Sequence, residues 1–317
     1  MNGGFTLKWF GVVVLALLMS ACSGMPSGQP ETDQGALYEG DLTADLLGVV
    51  DAATEKEALA KGDNYWARGD GDRALLYYIR ALDLNKKSFN AAAKIAGVHQ
   101  HRGNAILAEQ AWRTVLAIDD EHVMALEAMG LLKLEQRDYI QANGYLQKAL
   151  DLWKVQTLSS EKDQPIYTPW LAANGLGVIE DLNRKYTSAV AHYHRALEMA
   201  PNQSMLLNNL GYSSMMAGKL DHAEAHLRKA LRIKGDYGLA RRNLALVLTR
   251  RNQSEHAVRV LTPVMGEAAA RNDVGYMMML NDQPDMAEKL FRQAIELSPS
   301  YYDEAWKNLG QLKELRG

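Results

Sequence analysis

Residues 211–230 read GYSSMMAGKLDHAEAHLRKA. The small Gly211 is followed twelve positions later by Ala223, four later by the bulky Leu227 and three later by Ala230. This order of small, small, large and small side chains recurs along the chain. The central alanines are Ala74, Ala108 and Ala142, 34 residues apart, then Ala189, Ala223 and Ala257, again 34 apart, and finally Ala287. The early small residues are Gly62, Ala96, Gly130, Gly177, Gly211, Ala245 and Gly275, and the large ones are Tyr78, Trp112, Leu146, Tyr193, Leu227, Leu261 and Phe291. The last position holds Ala81, Val115, Ala149, Ala196, Ala230, Val264 or Ala294. A fixed period of this kind marks a solenoid of helix–turn–helix repeats. Helix axes approach to about 8 Å only where the side chains at the contact are small. The early small residue therefore belongs on a first helix and the alanine on an antiparallel second one. The bulky residue is expected to fill the gap to the neighbouring pair, as a dense core requires.

Turns are predicted at Arg68-Gly69-Asp70-Gly71, His101-Arg102-Gly103-Asn104, Ala217-Gly218-Lys219 and Asn281-Asp282-Gln283-Pro284. Pro201 and Pro299 close the fourth and seventh units, since a second helix stops at such a residue. Over about residues 55–317 the pattern resembles the tetratricopeptide repeat. The fold class expected is all-α, a solenoid of about seven repeats plus a C-terminal capping helix over Asp303 to Arg316, with Trp306, Leu309 and Gly310 at first-helix spacing. Two irregularities stand out. About 13 extra residues, Val155 to Tyr167 with Pro165, separate units three and four, and Pro169 and Trp170 follow them; unit six is four residues short, with Pro263 truncating its second helix. The expected organisation is 1–21 signal peptide, 22–40 flexible tether, 41–154 repeats one to three, 155–168 insertion, and 169–317 repeats four to seven with the cap.

The front end reads as a targeting segment. Lys8 supplies positive charge, Trp9 to Leu18 is an apolar stretch of signal-peptide length, and Met19-Ser20-Ala21-Cys22 follows. Two small residues before a cysteine resemble the bacterial lipoprotein signal, which implies lipidation of Cys22; Met19 stands where that signal usually has leucine. The alternative is an ordinary secretory signal with a coincidental cysteine. Cys22 is the only cysteine in the chain, so no disulfide within it is available and the thiol needs another use. Ser23 stands where an aspartate would resemble an inner-membrane retention signal. The resemblance thus implies the periplasmic face of the outer membrane, with the chain held by lipid at Cys22. Residues 23–40, rich in Gly, Pro, Ser and charge, read as a tether of about 25 Å mean reach. Asp41 or Thr43 is a candidate cap for a preliminary helix.

Net charge is −3, which leaves no basic footprint for nucleic acid. The histidine pairs His192/His194 and His222/His226 fall on second helices, lack a third ligand, and read as solvated faces, as do His99 and His101 near a turn. Arg68 to Asp72 lacks the Gly-Lys-Ser/Thr of a phosphate loop, and no nucleophile constellation is present. Neither enzymatic activity, cofactor, metal site nor small-molecule substrate is expected.

In the repeat family, positions 2, 5, 9, 12 and 13 of each unit line a concave face. Carried over, they give Lys56, Leu59, Asp63 and Trp66; Asn90, Gln100 and His101; and Met124, Glu127, Leu131 and Leu134 in units one to three, a mixed surface. In units four to seven the candidate partner-binding residues are Leu171, Asn174, Val178, Met205, Asn208, Tyr212, Met215, Leu239, Arg242, Leu246, Asn272, Tyr276 and Met279, with Asp181, Met216, Arg250 and Leu280 at the same positions. Methionine adapts to varied partner shapes, and Asn and Arg can pair with the backbone or a carboxylate of a bound segment. Some of these side chains, above all Met215, Met216 and Met277 to Leu280, read equally as interhelix core.

A narrower resemblance covers about Gln203 to Gly317. Asn208-Asn209-Leu210-Gly211-Tyr212-Ser213, Arg242-Asn243-Leu244-Ala245-Leu246-Val247-Leu248, Asn272-Asp273-Val274-Gly275-Tyr276 and Leu297-Ser298-Pro299-Ser300-Tyr301-Tyr302 look like the TadD family, the repeat lipoproteins of the tight-adherence (Flp) pilus system. The shortened sixth unit is also similar to that family. The resemblance implies a non-catalytic, pilotin-like scaffold whose partners are pilus-assembly proteins, above all the outer-membrane secretin. A lipoprotein adaptor for cell-wall enzymes and a pilotin for another type IV pilus remain alternatives.

Overall fold

The computed structural model describes residues 50–159, 167–298 and 302–316. The signal, Cys22, the tether, the Asp41/Thr43 cap, Pro165, Pro299, Ser300 and Tyr301 lie outside the described residues. Fifteen α-helices and no strand occur among the described residues. They form seven antiparallel pairs: α1 (Glu55–Ala67) with α2 (Gly71–Leu84), α3 (Phe89–His101) with α4 (Ala105–Ile118), α5 (Val123–Glu135) with α6 (Tyr139–Ser159), α7 (Trp170–Leu182) with α8 (Tyr186–Met199), α9 (Ser204–Met216) with α10 (Leu220–Ile233), α11 (Gly238–Arg250) with α12 (Ser254–Met265), and α13 (Glu267–Leu280) with α14 (Pro284–Leu297). A single helix, α15 (Asp303–Arg316), follows. The chain divides into two compact units between Gly175 and Leu176, inside α7.

The repeating residues form a notch and a knob. All seven central alanines are fully buried, and the seven large residues are at most 5% exposed. In the 50–175 unit, a methyl group added at Gly62 would lie 2.5 Å from the Tyr78 ring, and one at Gly130 would lie 2.5 Å from Leu146. In the 176–317 unit the equivalent approaches are 2.6 Å from Gly177 to Tyr193, 2.5 Å from Gly211 to Leu227 and 2.8 Å from Gly275 to Phe291. The bulky residue thus sits in the glycine notch of its own helix pair. The expected contact with the neighbouring pair is also made at Leu146, which would lie 2.8 Å from a methyl group added at Gly175 on α7. Two side chains with fixed spacing on one hairpin are already close, so the within-pair contact recurs in each glycine-bearing unit. Val264 breaks the register: it is 49% exposed, because α12 ends one residue later at Met265.

Each helix hairpin turns through one residue with left-handed backbone: Gly69, Gly103, Arg137, Arg184, Gly218, Asn252 and Asp282. Glycine marked three of these in the sequence and Asp282 lay in a fourth predicted turn; Arg137, Arg184 and Asn252 occupy the same site without it. The first five of the extra residues, Val155 to Ser159, continue α6. Pro263 lies inside α12 and does not end it. The sixth unit is short because the single residue Gly266, at φ 82°, links α12 directly to α13. Helix α15 buries Ala305, Leu309 and Leu312, the two leucines against the 176–317 core, while a methyl at Gly310 would meet nothing within 4 Å. Among the described residues no second helix follows it to fill this notch.

Candidate functional site

The first helices carry the candidate side chains. Leu171 and Asn174 belong to the 50–175 unit, and the other eleven candidates to the 176–317 unit. Asn174, Val178, Asn208, Tyr212, Met215 and Asn272 are buried. For these six, interhelix packing is the reading that the structure favours, because a side chain at positions 5, 9 or 12 also faces the adjacent first helix. Leu171, Met205, Leu239, Leu246, Tyr276 and Met279 are half-buried, and Arg242 is exposed. Leu246, Tyr276 and Met279 rest on the same core as the buried set. A partly open strip of Met205, Leu239, Arg242, Leu246, Tyr276 and Met279 therefore runs over α9, α11 and α13.

Beneath this strip the asparagines bond to one another. Asn243 Nδ2 donates to Asn208 Oδ1 at 2.9 Å, and Asn308 Nδ2 donates to Asn272 Oδ1 at 2.9 Å. These amides join successive first helices and satisfy buried polar atoms that would otherwise be costly. Tyr193 donates to Asp181 Oδ2 at 2.8 Å, and Ser213 Oγ lies 2.7 Å from both Asp181 oxygens. Burial pushes the Asp181 carboxyl up to about 6, the two hydroxyls opposing the shift. Burial raises the Tyr212 phenol as well. Asp273 is pushed up by burial and drawn down by the neighbouring Arg242 charge.

Arg250, half-buried at the end of α11, donates from Nη1 to the Met215 carbonyl at 3.2 Å and from Nη2 to the Met216 sulfur at 3.8 Å. Burial disfavours its charge, while the Tyr212 and Tyr186 hydroxyls favour it.

In the 50–175 unit, two predicted surface residues are structural. Glu127, 2% exposed, accepts the Tyr167 hydroxyl and, at 2.7 Å, the Ala172 N–H, with Leu171 N–H also directed at it. It caps the first turn of α7, where a negative charge is favoured. A lone acid in the apolar run Met124-Ala125-Leu126-Glu127-Ala128-Met129 was the signal for this role. His99 is buried in α3, not solvated. In the 176–317 unit, His226 packs its ring 5.9 Å from that of His194, edge to face, and burial lowers its basicity first, with the nearby His194 charge adding to it. Among the described residues no group of three or more His, Cys, Asp or Glu could hold a metal ion, and no helix is long and apolar enough to cross a membrane.

The family model for the tetratricopeptide repeat matches residues 127–204 and 176–238. The Bos taurus BBSome complex member BBS4 is 23% identical over 259 residues, 80% of this chain and 45% of that protein. The chain therefore spans less than half the length of that curated relative. Two solved structures share the fold. The APC/C hetero-tetramer Cut9–Hcn1 matches with a TM-score of 0.55 at 13% identity, over 86% of this chain and 51% of the other. PilW, described as a widely conserved type IV pilus biogenesis factor, matches with a TM-score of 0.50 at 17% identity, over 80% of this chain and 98% of the other. With its seven helix pairs, in-register notches and matched repeats, the chain is an all-α tetratricopeptide-repeat solenoid.

Proposed function

We propose that this protein is a non-catalytic scaffold of Flp (tight-adherence) pilus assembly. In this reading it is held at the periplasmic face of the outer membrane by lipid on Cys22. It grips a segment of a pilus-assembly protein, the secretin first among them, on the first-helix face of the 176–317 unit. The observation that carries this reading is the resemblance of residues 203–317 to the TadD family. The half-open apolar strip over α9, α11 and α13 supports it as a surface for a partner segment, since Met and Tyr are favoured at such contacts. PilW shares the fold, and its description as a pilus biogenesis factor fits the same biology by analogy.

The test is to express Leu246→Ser with Tyr276→Ala, and separately the opposite-face pair His222→Ala with His226→Ala, in cells lacking the native gene. Secretin multimers and surface pili are then counted. The strip variant is expected to lose both while keeping helicity and abundance, and the histidine variant to keep both. Pili unchanged in cells lacking the gene altogether would end the pilus reading.

A further inference from the structure

Four arginines of the 176–317 unit pair with carboxylates, whereas half-buried Arg241 gives its Nη1 and Nη2 bonds to the Val260 and Gly235 carbonyls, away from the α9–α11–α13 strip. Arg228 meets Glu224 at 2.8 Å, Arg251 meets Asp221 and Glu224 at 2.7 and 2.8 Å, Arg271 meets Glu267 at 2.8 Å, and Arg292 meets Glu288 at 2.7 Å. Arg250 is half-buried, yet no carboxylate pairs with it among the described residues; its two bonds go to a carbonyl and a thioether. A guanidinium has five N–H donors in a planar fork. A partly desolvated cation without a counter-charge is unfavourable, and the natural complement of the fork is a carboxylate taken bidentately. Arg250 also ends the α11 stripe Leu239–Arg242–Leu246–Arg250, so apolar contact lies on one side of it.

We infer that Arg250 is a receptor for an aspartate or glutamate side chain on a partner protein's segment, whose neighbouring apolar residues lie on Leu246 and Leu239. The assignment rests on the strip being the partner-binding face. A side chain, rather than a chain terminus, is the carboxylate source, because the guanidinium lies down against the Met215 carbonyl and needs a group that reaches below the segment's backbone. Arg242 is less suited to the role, being exposed and already beside Asp273.

The probe is a random peptide library displayed on phage with no free carboxyl terminus, selected on the full chain. Enriched peptides are resynthesised with amidated ends, each with its acid and with the corresponding amide. Acidic residues beside apolar ones are expected in the selected set. Acid-to-amide replacement is expected to weaken binding about tenfold on the native chain and hardly at all on Arg250→Gln, while Arg228→Gln behaves as native. Selected peptides without an acid requirement overturn the inference, as does an acid preference that survives Arg250→Gln, or binding that needs a free carboxyl terminus. Should Arg250→Gln fail to fold, Arg250→Lys decides: a reduced preference supports bidentate pairing, and an unchanged one overturns it. Binding that ignores Leu239→Ser with Leu246→Ser places the peptides elsewhere, and it overturns the groove reading along with this inference.

Discussion

At the scale of the residue, a single methyl group separates two outcomes. A Cβ added at Gly211 would lie only 2.5 Å from Leu227 and 3.3 Å from the Ala223 carbonyl oxygen, too close for either. Gly211→Ala is expected to destabilise by about 1–3 kcal/mol through overpacking. Gly310 has the same place on α15 and an empty notch, so Gly310→Ala should stabilise by up to about 1 kcal/mol, the helix-propensity difference. Melting temperatures moving in the same direction for both would refute the notch. Asp181 offers a second measurement. Its carboxyl titrates near 6 when folded and near its ordinary 3.8 when unfolded. Because the folded pKa is the higher, the protonated acid contributes stability that is full below 3.8 and is lost as pH rises through about 6. Asp181→Asn, which can still accept from Tyr193 and Ser213, should flatten the stability profile between pH 4 and 7 and raise melting at pH 8. An Asn variant with the native pH slope would show that the proton is held elsewhere.

At the scale of the element, side-chain caps are concentrated in the 50–175 unit, where Asn104 at the start of α4 is an uncapped exception. In the 50–175 unit Thr54, Asp70, Ser88 and His122 each accept a backbone N–H from the first turn of their helix. In the 176–317 unit Lys185, Gln203, Lys219, Tyr237, Gln253, Gly266 and Gln283 hold that position with no side-chain bond. Lys219 has φ −88° and ψ 67°, close to the φ −86° and ψ 77° of Asp70. Lys219→Asp should therefore form the bond that Asp70 makes to Arg73 N–H, and stabilise by about 0.5–2 kcal/mol. Asp70→Ala should lose a similar amount. Urea midpoints that fail to separate the two variants would mean that tertiary packing, not capping, fixes where these helices start.

At the scale of the whole molecule, the proposed location depends on the proposed lipid anchor at Cys22. Cys22→Ser should leave the repeat fold and its melting unchanged and move the protein out of the outer-membrane fraction into the soluble periplasm. Continued sedimentation with outer membranes, resistant to salt but not to detergent, would place the attachment somewhere other than Cys22. The groove is a separate matter: the same lipid-free chain should still capture its partner segment in solution, because the strip is built from α9, α11 and α13 alone.

The period of the small and large residues determined the helix pairs, their number and their antiparallel sense, since those depend on side-chain size at fixed spacing along one chain. Gly62, Gly130, Gly177, Gly211 and Gly275 were legible for that reason. The turns at Arg137, Arg184 and Asn252 were less so, because tertiary packing imposes left-handed backbone there on residues that do not advertise it. The split of the candidate site into buried Asn174, Val178, Asn208, Tyr212, Met215 and Asn272 and a half-open strip was decided only in three dimensions. Position within a repeat says which way a side chain leaves its helix, but its exposure depends on how near the next first helix lies. Glu127 at the start of α7, the Asp181 carboxyl beside Ser213, and Arg250 against the Met215 carbonyl each join residues 32 to 45 positions apart. A charge at one point in the sequence carries no sign of its partner at that range; only the folded chain brings the two within hydrogen-bond distance.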